Sequence, residues 1–255
     1  MRAYIKLRNR WIFRGMEMIH ENLNRSYAVA AFPELGVVFN RIKKSGNSTV
    51  TAFLSELAAG ESGKSYNSVK EAKREALSPR RCTWEEARAL RDYTYLAVVR
   101  NPYDRALSAF LNKVALGEDG EDSRKPHFRC VPGWGEASRE GFEKFVRFLD
   151  AGGLDHDKHW WPQNRLLIMP PARFDCVAKL ETLAEDMARF LESIGHDPAP
   201  AQMLEAPHPL ESRQKRKITG ATAKRARFYS PELKDIISRL YADDFKLFDY
   251  PVESS

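Results

Sequence analysis

Gly36-Val37-Val38-Phe39-Asn40-Arg41-Ile42-Lys43-Lys44-Ser45-Gly46-Asn47-Ser48-Thr49 decides the fold. An apolar run of strand length ends in a polar turn. Beyond the turn, Val50, Phe53, Leu54 and Leu57 recur at the i, i+3, i+4, i+7 spacing of a helix face. The same order returns later in the chain. Tyr95-Leu96-Ala97-Val98-Val99 reads as a buried strand, Asn101 is placed to cap, Pro102 takes the first helical position, and Leu107, Phe110, Leu111 and Val114 mark a helix. Leu107 and Leu111 are expected to face the core, which leaves Asp104 and Ser108 on a neighbouring stripe near the strand end.

Further helices are carried by Phe142, Phe145, Val146 and Leu149, by Leu183, Met187, Phe190, Leu191 and Ile194, and, after Pro231, by Leu233, Ile236, Ile237 and Leu240. Asp175-Cys176-Val177-Ala178-Lys179-Leu180 reads as another inner strand. Apolar strands alternating with helices predict an α/β fold: a central parallel sheet covered by helices on both faces. Ligands of such sheets sit beyond the carboxyl ends of the strands, where both strand-to-helix turns lie. The chain is expected to form a single domain over 1–255. Residues 117–171, rich in Gly, Pro, His, Trp and charge, read as an irregular insertion holding the Phe142 helix, and 199–222 as irregular and basic.

With 255 residues, 43% of them hydrophobic, the chain has enough apolar side chains for a sizeable core. The 41 Lys and Arg exceed the 35 Asp and Glu by 6. That excess suits an anionic ligand such as a nucleotide or acidic glycan, and suits nucleic acid equally. Cys82, Cys130 and Cys176 lie far apart with no C-x-x-C pair, which argues against a zinc site or a disulfide framework and for reduced thiols. Met1 to His20 carries Arg2, Lys6, Arg8, Arg10 and Arg14 without a long apolar run, so neither a signal peptide nor a membrane anchor is expected there, and the default location is cytoplasmic.

The first turn has the chemistry of an anion site. A loop entering a helix presents backbone N–H groups and the positive end of the helix dipole. Gly46 lets the backbone curl, Ser48 and Thr49 add hydroxyls, and Lys43 or Lys44 supplies full charge. Read alone, the turn fits an ordinary capped helix start as well. In the second turn, Val99-Arg100-Asn101-Pro102-Tyr103-Asp104-Arg105-Ala106-Leu107-Ser108, the fork of Arg100 suits a phosphate, and Ser108 is placed to share it.

Together the two turns resemble those of the sulfotransferase superfamily. The first is similar to its 5′-phosphosulfate loop, P-K-x-G-x-[ST], here Lys43-Lys44-Ser45-Gly46-Asn47-Ser48. The second is similar to its 3′-phosphate motif, R-x-P-x-x-R-x-x-S, with Arg100, Pro102, Arg105 and Ser108 all matching. Later segments resemble the Golgi-type carbohydrate branch that acts on chondroitin, dermatan and similar glycans: His159-Trp160-Trp161-Pro162-Gln163, Phe174-Asp175 with Lys179-Leu180-Glu181-Thr182-Leu183, and Tyr241-Ala242-Asp243-Asp244-Phe245 with Phe248-Asp249-Tyr250. The resemblance runs in order over about 36–251. Two departures stand out: Lys43 replaces the motif's proline, and the paired cysteines that Golgi relatives carry before Phe174 are absent. They point to a soluble, bacterial-type relative.

The resemblance implies a P-loop-NTPase-like sulfotransferase fold and a transferase that carries a sulfuryl group from 3′-phosphoadenosine 5′-phosphosulfate (PAPS) to a hydroxyl of a carbohydrate or glycolipid, with no metal. Lys44, with Lys43 as substitute, then stands at the leaving oxygen. Ser45, Gly46, Asn47, Ser48 and Thr49 hold the 5′-phosphate, and Arg100 and Ser108 the 3′-phosphate. His159 is the leading general base, since imidazole titrates near neutrality; His156 and His127 come next, and Glu85 and Glu86 are weaker substitutes. A packed structural histidine is the competing reading of His159. Trp160 and Trp161 either stack on sugar rings or pack in a core. The run 213–220, basic over 213–217, either folds over the nucleotide's 3′-phosphate, attracts an acidic acceptor, or is a solvated loop. Two other functions compete. A P-loop kinase or NTPase would need a Walker pattern, and the lysines here precede a single glycine. A nucleic-acid-binding module would carry a reader motif, and none is present.

Overall fold

The fold is that of a computed structural model in which residues 16–23, 28–63, 68–77, 83–119, 125–205 and 219–253 are described. In chain order they form α1 (His20–Leu23), β1 (Val29–Phe32), β2 (Val37–Asn40), α2 (Asn47–Ser62), α3 (Val69–Glu75), α4 (Trp84–Ala89), β3 (Thr94–Val99), α5 (Pro102–Lys113), α6 (Pro126–Arg129), α7 (Arg139–Asp150), β4 (Cys176–Lys179), α8 (Leu183–Ser193), α9 (Ala221–Phe228), α10 (Pro231–Leu240) and α11 (Ala242–Leu247), with short 3-10 turns between. The chain divides into two compact units. Met1–Val99 with Leu166–Arg216 makes the first, and Arg100–Arg165 with Lys217–Ser255 the second.

The first unit holds a four-stranded sheet in the order β1-β2-β3-β4, flanked by helices. β2, β3 and β4 run parallel, as the strand-to-helix pattern predicts. β1 adds an antiparallel edge that the pattern does not announce. One 3-10 turn, Pro33–Leu35, closed by Gly36 at φ 61, is all that joins β1 to β2, and a connection that short forces the strands to be antiparallel. The outer edge of β1 is covered where Ala31 and Leu77 exchange backbone hydrogen bonds of 2.7 and 3.2 Å. β4 is the opposite edge rather than an inner strand: only Ala178 of its four residues is buried.

On one face of the sheet, Ala30, Phe32, Val37, Phe39, Leu96, Val98 and Ala178 share a core with Val50, Phe53 and Leu54 of α2 and Leu183, Met187, Phe190 and Leu191 of α8. The alternate residues Val29, Ala31, Val38, Tyr95, Ala97 and Val99 are buried too. Burial on both faces is why β2 and β3 read as unbroken apolar runs. Each fully buried Phe or Leu contributes roughly 1.5–3 kcal/mol, and that burial anchors the strand ends from which the turns spring.

The second unit is helical around α5. Asn101 caps this helix by accepting the Tyr103 N–H at 3.0 Å, with Pro102 following, as the sequence predicts. The expected one-sided burial does not hold: every residue from Pro102 to Phe110 is buried, Asp104 and Ser108 included, while Leu111 is only half-buried. The cause is packing from several sides, by α7, α9 and α10. Phe110 alone meets the rings of Phe142, Phe145 and Phe228 at 5.4, 5.5 and 6.4 Å. The described residues of the stretch read as an insertion, 117–171, form short turns around α6 and α7, and from Leu166 onward they belong to the first unit. Among the described residues, no helix is long and apolar enough to cross a membrane.

Candidate functional site

In the first unit the chain leaves β2 at Asn40, turns through Lys43–Gly46 and enters α2. Gly46 caps the helix at φ 65, and Lys44 also takes a left-handed φ of 67, while Lys43 and Ser45 do not. Alternating handedness of this kind curls backbone N–H groups into an anion-binding concavity. A non-glycine residue at such a φ costs roughly 1–2 kcal/mol, so Lys44 is held there against its own preference. Leu180, just after β4, closes over Gly46; a Cβ on that glycine would stand 2.8 Å from Leu180 Cδ1.

Helical bonding in α2 begins with the Val50 N–H donating to Gly46 O at 2.9 Å, so the N–H groups of 46–49 lie ahead of the first helical bond. Buried Arg41 donates from Nε to Asn47 Oδ1 at 2.9 Å, and Thr51 Oγ1 donates to Asn47 O at 2.6 Å, which locks the first turn. Lys73 of α3 donates from Nζ to Ser48 Oγ at 2.5 Å. Arg41 and Lys73 thus bond to residues of a helix start that is already the positive end of a dipole, carries no acidic residue in its first turn and follows directly on Lys43 and Lys44. Cations and backbone N–H groups at a helix start suit an anionic ligand.

In the second unit, Arg100 is clamped through its backbone. Gln163 accepts the Arg100 N–H on Oε1 and donates from Nε2 to Arg100 O, both at 2.8 Å. Asp244 fixes Gln163 in turn, accepting the N–H groups of Gln163 and Asn164 at 2.6 and 2.9 Å. Arg105, fully buried, donates to Trp161 O at 2.6 Å, and the Tyr241 hydroxyl donates to Trp160 O at 2.5 Å. Burial pushes the Arg105 pKa down against the fields of Tyr241 and Asp244; burial pushes the Asp244 carboxyl up against the charge of Arg105. These two opposite charges act as the internal counter-ions of the clamp. Farther on, Arg100 donates from one terminal nitrogen to Thr222 Oγ1 at 3.4 Å, Thr222 donates to Asp104 at 2.8 Å, and the Ser108 and Thr219 hydroxyls meet at 3.2 Å. The N-terminus of α9, capped by Gly220, therefore adjoins both Arg100 and Ser108.

His159 lies in the same unit, its side chain 13% exposed. Its Nδ1 is 2.5 Å from Asp157 Oδ1, and its backbone N–H donates to the same oxygen at 2.8 Å. The other carboxylate oxygen accepts from His127 Nε2 at 3.2 Å. His156 donates from Nε2 to His127 O at 2.6 Å. Burial alone would raise the Asp157 pKa, but hydrogen bonds and charge from His159, with the hydrogen bond from His127, outweigh it and hold the carboxyl well below the usual range.

The residues expected at the first turn, Lys43 to Thr49, thus lie together, with Ser45 fully buried. Arg100 and Ser108 are linked through the two threonines at α9. Trp160 is fully buried and donates from Nε1 to Gly153 O at 3.0 Å, so it packs in the core rather than facing a sugar. Trp161 is half-buried with the Arg165 guanidinium 4.7 Å over its ring. Glu86 closes a capping box with Thr83 at the start of α4. Sequence reasoning missed Lys73 and Thr222, which no motif marks, and Asp157, whose position two residues before His159 was the available signal; Thr219 falls at the end of the run 213–220 read as able to reach the nucleotide. The basic run 213–217 and Cys82 lie outside the described residues.

The sequence pattern described as "Sulfotransferase family" matches residues 28–251, a span holding both turns and His159. Carbohydrate sulfotransferase 12 of Xenopus laevis is 28% identical over 184 residues, and carbohydrate sulfotransferase 12 of Mus musculus 29% identical over 182. Each alignment takes in 64% of this chain and 41% of the relative, so the chain spans about two fifths of the length of the curated relatives it matches. No solved structure matches.

Proposed function

Because the chain belongs to the sulfotransferase family, we propose that it transfers a sulfuryl group from PAPS to a hydroxyl of a carbohydrate or glycoconjugate. The observation that carries this reading is the start of α2, where Arg41, Lys43, Lys44 and Lys73 meet a left-handed, glycine-capped turn. The printed names of the relatives support a carbohydrate acceptor.

In this reading the backbone N–H groups of Gly46 and Asn47 and the hydroxyls of Ser48 and Thr49 hold the 5′-phosphate. Lys44 faces the oxygen between sulfur and phosphorus, where negative charge grows as the bond breaks, and a cation fixed there in advance lowers the barrier. Lys43 and Lys73 add to the same field. Arg100 and Ser108 take the 3′-phosphate, with Thr219 and Thr222 beside them. His159 accepts the proton of the acceptor hydroxyl as its oxygen bonds to sulfur. The bond from sulfur to the bridging oxygen breaks, adenosine 3′,5′-bisphosphate leaves with that electron pair, and the imidazolium then gives its proton to water. General-base help of this kind is worth roughly a hundred- to ten-thousandfold.

Calorimetric titration with adenosine 3′,5′-bisphosphate tests the reading. The wild-type protein is expected to bind it in the micromolar range and far better than ATP. Arg100→Ala is expected to weaken binding about 100-fold, the worth of a charge-assisted phosphate contact. A wild-type protein that ignores the bisphosphate, or prefers ATP with magnesium, overturns it.

A further inference from the structure

We propose that Asp157 is the positioning residue for the general base: it holds His159 as the Nδ1–H tautomer and so presents Nε2 as the proton acceptor. The inference rests on the role of His159 given above and adds a residue to it. An ionised carboxylate has lone pairs only, so the 2.5 Å contact to Asp157 Oδ1 places a proton on His159 Nδ1. In the neutral ring the basic lone pair then belongs to Nε2. The backbone N–H of His159 binds the same oxygen, so the carboxylate and the ring are fixed to one short segment, Asp157 to His159. With side chains 14% and 13% exposed, the pair is largely sheltered from competing water.

The second oxygen of Asp157 gives the arrangement a further property. His127 holds it from α6, so one carboxylate joins two imidazoles. Among the described residues, the titratable groups near His159 include Asp157, His127 across the carboxylate, and His156, whose ring centroid is 6.0 Å from that of His127; the ring of Phe128 lies 6.1 Å from that of His159. The depressed pKa of Asp157 keeps the carboxylate ionised throughout the range in which imidazoles titrate. Asp157 orients His159, and its charge favours the imidazolium that forms when the acceptor hydroxyl gives up its proton.

The decisive measurement is long-range ¹⁵N NMR of the imidazoles in the wild-type protein at pH 8, which needs neither substrate nor variant. The expected signature for His159 is a protonated Nδ1 and an unprotonated Nε2; an Nε2–H tautomer overturns the proposal. In Asp157→Asn that signature is expected to vanish. Transfer of ³⁵S from PAPS to unsulfated chondroitin is expected to fall at least about 100-fold in kcat, and the acid limb of its pH profile to move to lower pH because the imidazolium has lost its anion. Affinity for adenosine 3′,5′-bisphosphate is expected to stay unchanged. Wild-type kcat and pH profile in Asp157→Asn overturn the proposal. A wild-type protein that fails to bind the bisphosphate defeats the underlying transferase reading instead, whatever the tautomer. Should chondroitin accept no sulfate, the tautomer alone decides.

Discussion

Lys44 is a lysine in a conformation that glycine prefers, and at the residue scale that conflict separates stability from activity. Its φ of 67 costs roughly 1–2 kcal/mol, partly offset by the backbone freedom a glycine would lose on folding. Strain kept at such a position marks a side chain whose chemistry outweighs its fit. Lys44→Gly is therefore expected to leave the protein at least as stable, with a gain of up to about 1 kcal/mol in chemical denaturation, while under the proposed mechanism sulfuryl transfer drops about 100- to 1,000-fold for want of the cation assigned to the leaving oxygen. A destabilised variant with near-normal turnover refutes both halves. The two lysines and Gly46 were legible in the sequence because a turn between strand and helix has a local signature. Lys73 was not: its partner Ser48 is 25 positions away in sequence, and only packing of α3 beside α2 brings them together.

Among elements, α5 gains its role from its neighbours. Arg100 precedes the helix, and its backbone is held on both sides by the amide of Gln163, itself held by Asp244 at the start of α11. The segments 159–163 and 241–245, which sequence comparison reads as family marks, thus support the Arg100 turn through backbone contacts. Gln163→Leu removes both amide bonds while keeping similar bulk. It leaves the Arg100 N–H and C=O without those partners, at a cost of roughly 1–3 kcal/mol for a buried polar group. Adenosine 3′,5′-bisphosphate affinity is expected to fall at least tenfold, although Gln163 is assigned no contact with the ligand. Unaltered affinity rules out the clamp as the device that sets Arg100. The same packing explains why the amphipathic reading of α5 failed: helical spacing marks which residues are apolar, but polar Asp104 and Ser108 are buried because Thr219, Thr222 and Arg225 supply partners from another helix and its entry.

Across the whole molecule, acid stability follows from the same carboxylates. Asp157 has its folded pKa depressed below the ordinary 3.8, so its contribution is fully present above that value and is lost as pH falls through the depressed one. Asp244 works in the opposite sense, since its folded pKa is raised and its ionisation costs stability as pH rises above 3.8. The melting-temperature gap between wild type and Asp157→Asn is expected to widen as pH falls through the imidazole range, where His159 gains a proton beside the carboxylate, and to narrow again below pH 4 as Asp157 itself is protonated. A gap that goes on widening below pH 4 contradicts the ion pair. The sequence by itself determined the parallel strands β2 and β3, the helices that follow them and the two strand-to-helix turns, because each is written in local periodicity, capping residues and glycine placement. Tertiary structure alone decided that β1 closes one edge antiparallel, that β4 closes the other, that Gln163 and Asp244 hold the backbone of Arg100, and that Lys73 reaches Ser48. Those pairings join positions as far as 81 apart, and hydrogen bonds to backbone groups or single side chains leave no periodic trace in the chain that makes them.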